Sequence, residues 1–409
     1  MRHTRLFRFG VPFVVGAMAL TACGSRDEGD GSSGESSGTT VTIGFDAPLS
    51  KDLAAVGLGM KNAAELAVEQ ANKNRTVPGV TFRLSAKDDQ ATPTIGQQNA
   101  AAFAADDSVI GVVGAYNSSV SAAMQSTVHD AGMVEISGAN TSPDLTRGAD
   151  YKTAPKRQYD NYFRTITTDD VQAPVAAEYF YQDLGIKRIA TVDDKKTYGA
   201  GLVKEFTAAF EELGGKVVVH QSINPDESDY ASVVGSVKSS GAKAVYYGGE
   251  YPQAGALKKQ LVAAGFTGPL GGGDAVKDDS IVKLAGARAA DGIYTTSDGQ
   301  PVETLPSAKS FISAYRAAGY SEPYGVFGAY TYDATNALVQ AVKAAVGDGA
   351  AGAVKDLRPK VVTAMADVSF TGATGRIGFD QYGDSVNKVI SINRIEDGAW
   401  KDGVKVFKK

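Results

Sequence analysis

Short apolar runs and longer alanine-rich segments alternate along the chain from Val41 onward. Runs rich in β-branched residues predict strands at 41–50, 80–89, 109–116 and 133–142. Between them, apolar residues spaced by about 3.6 positions predict helices at 59–73, 94–106 and 118–132. Strands that alternate with helices in this way predict an α/β fold with parallel sheets.

The alternation restarts in the second half of the chain. A helix is predicted at 170–185, a strand and loop at 188–199, and further strands at 216–224, 243–250 and 268–275, with helices between them. A return strand at 292–298, a long helical stretch at 324–346 and a hairpin-like stretch at 375–400 follow. Two successive runs of strand, loop and helix indicate two Rossmann-like lobes.

The first 22 residues have the pattern of a secretory signal peptide. Arg2, Arg5 and Arg8 make the start positive, and the segment Val11–Leu20 carries no charge. This uncharged segment is too short to span a bilayer, which takes about 20 apolar residues. The body of the protein is therefore expected outside the cytoplasm.

Cys23 is the only cysteine, and it lies directly after this segment. Leu20, Thr21, Ala22 and Cys23 resemble the lipobox of bacterial lipoproteins, in which cleavage precedes a cysteine that receives a diacylglycerol. An ordinary signal cut after an A-x-A-like site is the alternative. The lipid attachment at Cys23 is favoured, because a thioether removes a lone thiol that would be a liability in an oxidising compartment.

The segment after Cys23 has the composition of a flexible tether. Residues 24–40 contain only Gly, Ser, Thr and charged side chains, so they cannot bury enough apolar surface to fold. A flexible chain of this length holds a domain on the order of 20 Å from its anchor. The mature protein is thus expected to be membrane-attached through lipid, with a soluble body.

Charge and composition exclude several classes of function. The formal charge is −5, and it becomes −8 once the three arginines of the signal are removed, so no basic nucleic-acid face is indicated. No cofactor is implied, and no spacing typical of metal ligands occurs, since His129 and His220 are the only histidines beyond the signal. An enzyme is not favoured either, because Ser118 and His129 lie too far apart on one predicted helix to form a hydrogen bond.

Polar residues follow most of the predicted strands, where ligands bind in open parallel sheets. They are Asn117, Ser118 and Ser119; Asn140, Thr141 and Ser142; Lys195, Thr197 and Tyr198; Glu250 and Tyr251; and Asp274. Ser118 is expected where a strand turns into a helix, and free N–H groups there suit an anion. Helix capping by Ser118, a turn or cap role for Asp274 and a surface position for Tyr198 remain the alternatives.

The body resembles the leucine/isoleucine/valine-binding proteins of bacterial ABC transporters, which have the type I periplasmic-binding-protein fold. The segments that carry the resemblance include "VIGVVGAYNSSVSAAM", "EISGANTSPDLT", "IATVDDKKTYGAGL", "AVYYGGEYPQAGAL" and "YTYDATNAL", which occur in this order. The resemblance implies a ligand held between two lobes and three chain crossovers, near residues 166, 297 and 377.

The resemblance also implies roles for individual residues. Family positions that contact the ligand fall on Ser118, on Asn140 (mainly through its backbone) and on Thr141. Asn117, directly before Ser118, is expected to line the site with it. Tyr198 falls on a tyrosine that lines the cleft of the family. Asp274 falls on the acid that binds the α-ammonium group of the ligand. Phe327, or with a gap Tyr324, falls on the side-chain pocket.

Two positions depart from the pattern of the family. Val56 replaces a frequent aromatic residue of the first loop, and Glu250 with Tyr251 replaces a pair of tyrosines. Both changes bear on the side of the pocket that selects the ligand side chain. The identity of that side chain therefore does not follow from the resemblance.

The sequence thus predicts a signal peptide at 1–22, a tether at 23–40, a first lobe at 41–165 and 298–376, and a second lobe at 166–297 and 377–409. The expected function is a monomeric, lipid-anchored solute-binding protein that delivers an amino acid, branched-chain in the first instance, to an ABC permease with separate ATPase subunits. A tethered sensor for an amino acid, amide or other small polar molecule is the alternative.

Overall fold

The structure, a computed structural model, describes residues 38–347, 349 and 351–408. The predicted signal peptide, the lipid attachment at Cys23 and nearly all of the tether lie outside the described residues. None of the described helices combines the length and the apolar character that crossing a bilayer requires.

The first stretch of the chain builds five strands and four helices. The strands are β1 (Thr39–Ala47), β2 (Val80–Asp88), β3 (Val109–Gly114), β4 (Val134–Ser137) and β5 (Tyr162–Arg164). The helices are α1 (Ala54–Lys73), α2 (Pro93–Ala105), α3 (Ser118–Asp130) and the short α4 (Asp144–Arg147). All residues of β3 are buried, as expected for a parallel strand that is covered on both faces.

The middle of the chain forms a second group of alternating strands and helices. Its helices are α5 (Asp169–Glu178), which continues as a π-helical turn, α6 (Thr197–Glu212), α7 (Ala231–Ser239), α8 (Tyr251–Ala263), α9 (Ser280–Ala285) and α10 (Ala287–Ala290). Its strands are β6 (Arg188–Asp193), β7 (Lys216–Ser222), β8 (Ala244–Gly248), β9 (Leu270–Gly272) and β10 (Ile293–Asp298).

The last part of the chain adds helices to the first group of elements and strands to the second group. It contains helices α11 (Lys309–Ala318), α12 (Gly328–Val346) and α13 (Val354–Met365), and strands β11 (Phe370–Gly372), β12 (Gly375–Ile377), β13 (Val389–Glu396) and β14 (Ala399–Lys408). The main contacts of α12 are with α1, whereas β13 pairs antiparallel with β10 and with β14.

Two sheets therefore organise the two lobes. One is parallel with the order β2-β1-β3-β4-β5, and the other has the order β14-β13-β10-β9-β8-β6-β7, parallel from β10 to β7. The chain passes between the lobes along 165–168, 299–308 and 378–388. The predicted α/β class with two lobes and three crossovers is confirmed, while the bounds given for the signal, tether and lobes stay a prediction.

Several helix bounds differ from the sequence prediction. Helix α1 begins at Ala54 rather than at 59, although it contains Gly57 and Gly59. A Cβ at Gly59 would lie 2.4 Å from the carbonyl oxygen of Pro323, so close packing against the loop before α12 requires glycine here. Tertiary packing thus outweighs the low helix propensity of glycine. Helix α12 begins at Gly328 rather than at 324, because residues 324–327 form the loop that meets α1.

Glu135 on β4 is a titratable side chain in the interior of the first lobe. It is 0 % exposed, and burial raises its pKa to about 8 although the Ser121 hydroxyl acts against the shift. A raised carboxyl pKa means that the folded state holds the proton more tightly than the unfolded state does. Folding stability should therefore fall as the pH rises from about 4.5 towards 8.

We expect the folding stability of the Glu135→Gln variant not to show the part of this fall that Glu135 causes. Relative to the variant, the wild type should lose about 1 kcal/mol of unfolding free energy per pH unit between pH 5 and 8, because one pKa unit corresponds to about 1.4 kcal/mol. Urea unfolding at four pH values measures the difference, with the exposed Glu212→Gln as the control. Parallel pH profiles for wild type and Glu135→Gln would contradict the assignment.

Candidate functional site

A small cavity lies between the two lobes, close to the carboxyl ends of β3, β8 and β9. It is lined by residues of both lobes: Tyr116, Asn117, Ser118, Ala139, Tyr198, Glu250, Asp274, Ala275 and Phe327. Its volume is about 10 Å³, which is room for about one water molecule. A larger ligand therefore enters only if the lobes move apart.

The first-lobe side of the cavity is the start of a helix. Ser118 is the first residue of α3 and is buried, and Asn117 precedes it in an extended conformation. The side chain of Asn117 does not cap α3, and the N–H groups of Val120 and Ser121 donate to its carbonyl oxygen. The N–H groups of Ser118 and Ser119 therefore keep their capacity to donate to an anion. This wall of the cavity suits a carboxylate.

The second-lobe side of the cavity is built around Asp274, which is 1 % exposed. Its Oδ1 accepts hydrogen bonds from the Tyr198 hydroxyl at 2.8 Å, from Gln172 Nε2 at 3.2 Å and from the Ala275 N–H at 3.0 Å. Its Oδ2 is buried and accepts no hydrogen bond from the described residues. The remaining oxygen can therefore accept from an ammonium group.

Glycine makes this arrangement possible. Asp274 follows three consecutive glycines, and a Cβ on the last of them, Gly273, would lie 2.2 Å from the Tyr198 hydroxyl oxygen. Any larger residue would push Tyr198 away from Asp274. The glycine directly after β9 thus has a local structural reason.

Asp274 belongs to a group of three buried carboxyls that also contains Asp169 and Asp298. Gln172 joins two of them, since its Nε2 also donates to Asp169 Oδ1 at 2.8 Å. Burial raises the pKa of all three carboxyls, and the neighbouring charge of Asp274 raises the pKa of Asp169 and Asp298 further. Positive charge brought to this group is therefore favourable.

Of these three acids, only Asp274 was predicted from the sequence as a site residue. Asp298 is the last residue of β10, so the strand-end rule applied to that strand would have included it. Asp169 starts α5 directly after the first crossover, and no strand end marks it. Tyr116, Ala139 and Ala275, each directly next to a predicted residue, also line the cavity and were not predicted.

Two hydrogen bonds close the cavity across the lobes. Asn117 Nδ2 donates to Glu250 Oε1 at 2.7 Å, and the Tyr251 hydroxyl donates to the carbonyl oxygen of Asp52 at 2.7 Å. Lys196 Nζ lies 3.0 Å from the other oxygen of Glu250. Asn117 thus reaches the cavity as the sequence placed it, whereas Tyr251 contacts the opposite lobe outside the cavity lining.

Asn140 and Thr141 are buried next to the cavity but do not line it. The side chain of Asn140 donates to the Tyr116 carbonyl oxygen and accepts from the Tyr162 hydroxyl, and its own carbonyl oxygen accepts from Arg164. The backbone carbonyl of Thr141 accepts from the Asp169 N–H at 2.9 Å. In this closed arrangement both residues hold the loop that carries Ala139.

A larger cavity, here called the hinge-side cavity, adjoins the small one at Phe327, which lines both. It has a volume of about 750 Å³ and is bordered by the second crossover. Val56 and Tyr324 line this cavity and not the small one. The ring of Phe327 meets that of Tyr116 edge-on at 5.2 Å, which forms the partition.

In the described part of the chain, no group of three His, Cys, Asp or Glu side chains is arranged to hold a metal ion. His129 is exposed at the far end of α3 and contacts Asp160 and Tyr159 rather than the cavity.

The chain is similar to known proteins over most of its length. Residues 40–399 match the family model described as periplasmic binding protein. The chain is 31% identical to the Leu/Ile/Val-binding protein BraC3 of Rhizobium johnstonii over 88% of this chain and 92% of the relative. It is 29% identical to the Leu/Ile/Val-binding protein homolog 1 of Brucella abortus over 86% and 89% of the two chains.

A solved structure extends the similarity to the fold. The branched-chain amino acid transporter substrate-binding protein LivJ of Streptococcus pneumoniae, in complex with isoleucine, superposes with a TM-score of 0.78. The match is 25% identical and covers 90% of this chain and 100% of LivJ.

Proposed function

Because the chain belongs to the periplasmic binding protein family, among the branched-chain amino acid substrate-binding proteins of ABC transporters, we propose that it binds leucine, isoleucine or valine between its lobes. It then delivers the ligand to a membrane permease whose ATPase subunits are separate chains. The protein acts by binding and catalyses no reaction.

The observation that carries the proposal is the pairing of Ser118 and Asp274 across one cavity. The N-terminus of α3 with Ser118 offers donors to a carboxylate, and Asp274 Oδ2 offers an acceptor to an ammonium group. Once the lobes have opened to admit a ligand, the Thr141 hydroxyl donates a further hydrogen bond to the ligand carboxylate in this proposal. Burial makes either charge costly to leave unpaired, so the pair selects the zwitterion of an α-amino acid.

Phe327 and Val56 are the side-chain wall in this proposal. Phe327 borders the cavity, and Val56 lies behind it in the hinge-side cavity. An apolar wall favours buried methylene groups by about 0.8 kcal/mol each. Leucine, isoleucine and valine are therefore preferred to alanine.

Ligand closes the lobes in this proposal by contacting both of them. The contacts Asn117–Glu250 and Tyr251–Asp52 already join the lobes, and the three crossovers provide the hinge. A ligand held by Ser118 on one side and Asp274 on the other joins the lobes in the same way, in an arrangement that is opened far enough to hold it.

A thermal-shift screen of the purified protein against the twenty amino acids, short amides and small carboxylic acids tests the function. At 100 times its Kd, a ligand adds about 2.7 kcal/mol of stability. We expect leucine, isoleucine and valine to give the largest shifts, and their amides and decarboxylated amines to give none. Stabilisation by acids or amides without an α-ammonium would contradict the proposal.

The proposal includes attachment to the membrane through Cys23. The Cys23→Ala variant is expected to leave the protein uncleaved or to release it from the membrane fraction, because no thiol remains to carry lipid. Cell fractionation with metabolic lipid labelling measures this, and Ser25→Ala serves as the control. Correct processing and membrane retention of Cys23→Ala would exclude lipid attachment at this residue.

A further inference from the structure

The hinge-side cavity is much larger than the space between Ser118 and Asp274, and the proposed function uses only its edge. Its volume of about 750 Å³ is within the range of small-molecule sites. Phe327 separates it from the small cavity, so a group placed there would lie next to a ligand in the cleft.

The lining of the hinge-side cavity carries an excess of negative charge. Six carboxyl groups line it: Asp278, Asp279, Asp298, Glu303, Glu322 and Asp402. The two basic residues of the lining are Lys277 and Arg316. Lys277 is already engaged, since its Nζ lies 3.1 Å from Asp402 and 4.6 Å from the centre of the Trp400 ring.

Asp298 is the buried acid of this lining, with 5 % of its surface exposed. Its Oδ1 accepts from the Thr167 N–H at 3.2 Å, and its Oδ2 accepts no hydrogen bond from the described residues. Burial and the neighbouring charge of Asp274 raise the pKa of Asp298, so a cation beside the unpartnered oxygen would take the place of the proton that this buried acid otherwise holds.

Aromatic rings complete the lining. Phe327 and Tyr330 are buried there, Tyr315 lies next to them, and the Tyr324 hydroxyl donates to Glu303 at 2.6 Å. Ring faces next to carboxylates attract ammonium and guanidinium groups. A metal ion fits less well, because none of the described acidic groups is arranged as a metal site.

We propose that the hinge-side cavity is a binding subsite for an organic cation, an ammonium or guanidinium group, beside the amino-acid site. The cation has two possible sources. It is either the side-chain end of a longer amino acid held in the cleft, which rests on the proposed function, or a separate small amine, which does not.

Titration calorimetry with the purified protein distinguishes the two sources. A side-chain source predicts that L-lysine binds at least tenfold more tightly than L-norleucine, which has a similar unbranched chain without the ammonium, while L-leucine stays the tightest ligand of the three. A separate source predicts that n-butylammonium binds in the presence of saturating L-leucine. If leucine does not bind, the proposed function fails, and n-butylammonium titrated alone still tests the subsite. The absence of both effects overturns the proposal.

Charge-neutralising variants locate the cation. The Asp298→Asn variant and the double variant Glu303→Gln/Glu322→Gln keep the side-chain shapes, and each should weaken lysine or n-butylammonium by about five- to tenfold. The double variant Glu211→Gln/Glu212→Gln on α6 is the matched control and should leave cation binding unchanged. Equal cation affinities in the wild type and in both cavity variants would place the cation elsewhere and overturn the proposal.

Discussion

Leucine binding is expected to weaken by roughly 30-fold to several-thousand-fold when Asp274 is replaced by asparagine. The substitution keeps an oxygen that can accept from Tyr198 and removes the charge that faces the ligand ammonium. Loss of one partner of a buried charge pair costs about 2–5 kcal/mol, which gives this range of Kd. Titration calorimetry with leucine measures it.

Two further measurements separate a binding defect from a folding defect. The folded state of Asp274→Asn should be at least as stable as that of the wild type. Burial disfavours the charged form of Asp274 and raises its pKa, and removing this carboxylate relieves repulsion within the group of three acids. Asp169→Asn, which removes a buried acid that does not line the cavity, is the matched control and should affect leucine far less. Wild-type affinity in Asp274→Asn would refute the assigned role.

The second prediction with a large expected effect concerns folding stability and a buried ion pair at the third crossover. Arg164 is fully buried at the end of β5, and its Nε lies 2.9 Å from Oδ1 of Asp384. Asp384 also meets Arg147 at 3.2 Å. Asp384→Ala leaves Arg164 as a buried charge without its counterion, which typically costs about 3–5 kcal/mol.

Urea unfolding of Asp384→Ala measures this loss. The exposed Asp367 provides a control substitution to alanine in the same part of the chain, and the control should change the unfolding free energy by less than about 0.5 kcal/mol. A loss below about 1 kcal/mol in Asp384→Ala would show that solvent or another group replaces the carboxylate beside Arg164.

The fold class followed from local patterns, because parallel strands covered on both faces are nearly continuous apolar runs. Helices α11 and α13 were not predicted from the sequence. The first carries one apolar stripe of Phe311, Ile312 and Tyr315, which the 3.6-residue spacing would have predicted as a helix, whereas the second contains Pro359, which normally argues against a helix interior. Contacts across the fold, such as that of Arg358 with the Val109 carbonyl oxygen, hold α13 in place and are not visible locally.

The strand-end rule brought Asn117, Ser118, Tyr198 and Asp274 to one cavity, because the strands of each sheet end at the same edge. Distances within the closed cleft did not follow from it. Whether Asn140 points into the cavity or bonds to Tyr116 depends on packing around Arg164. The pairing of Glu250 with Asn117 depends on how the two lobes meet, which no single segment encodes.

The Asn117–Glu250 and Tyr251–Asp52 bonds have a kinetic consequence. With the lobes joined, the cavity has room for about one water molecule, so only the fraction of molecules in an open arrangement can capture a ligand. The observed association rate should then rise with ligand concentration only to a plateau set by the opening rate, which stopped-flow mixing would detect. Weakening the bridge through Glu250→Ala should raise the plateau, so a variant with fewer contacts would load its ligand faster.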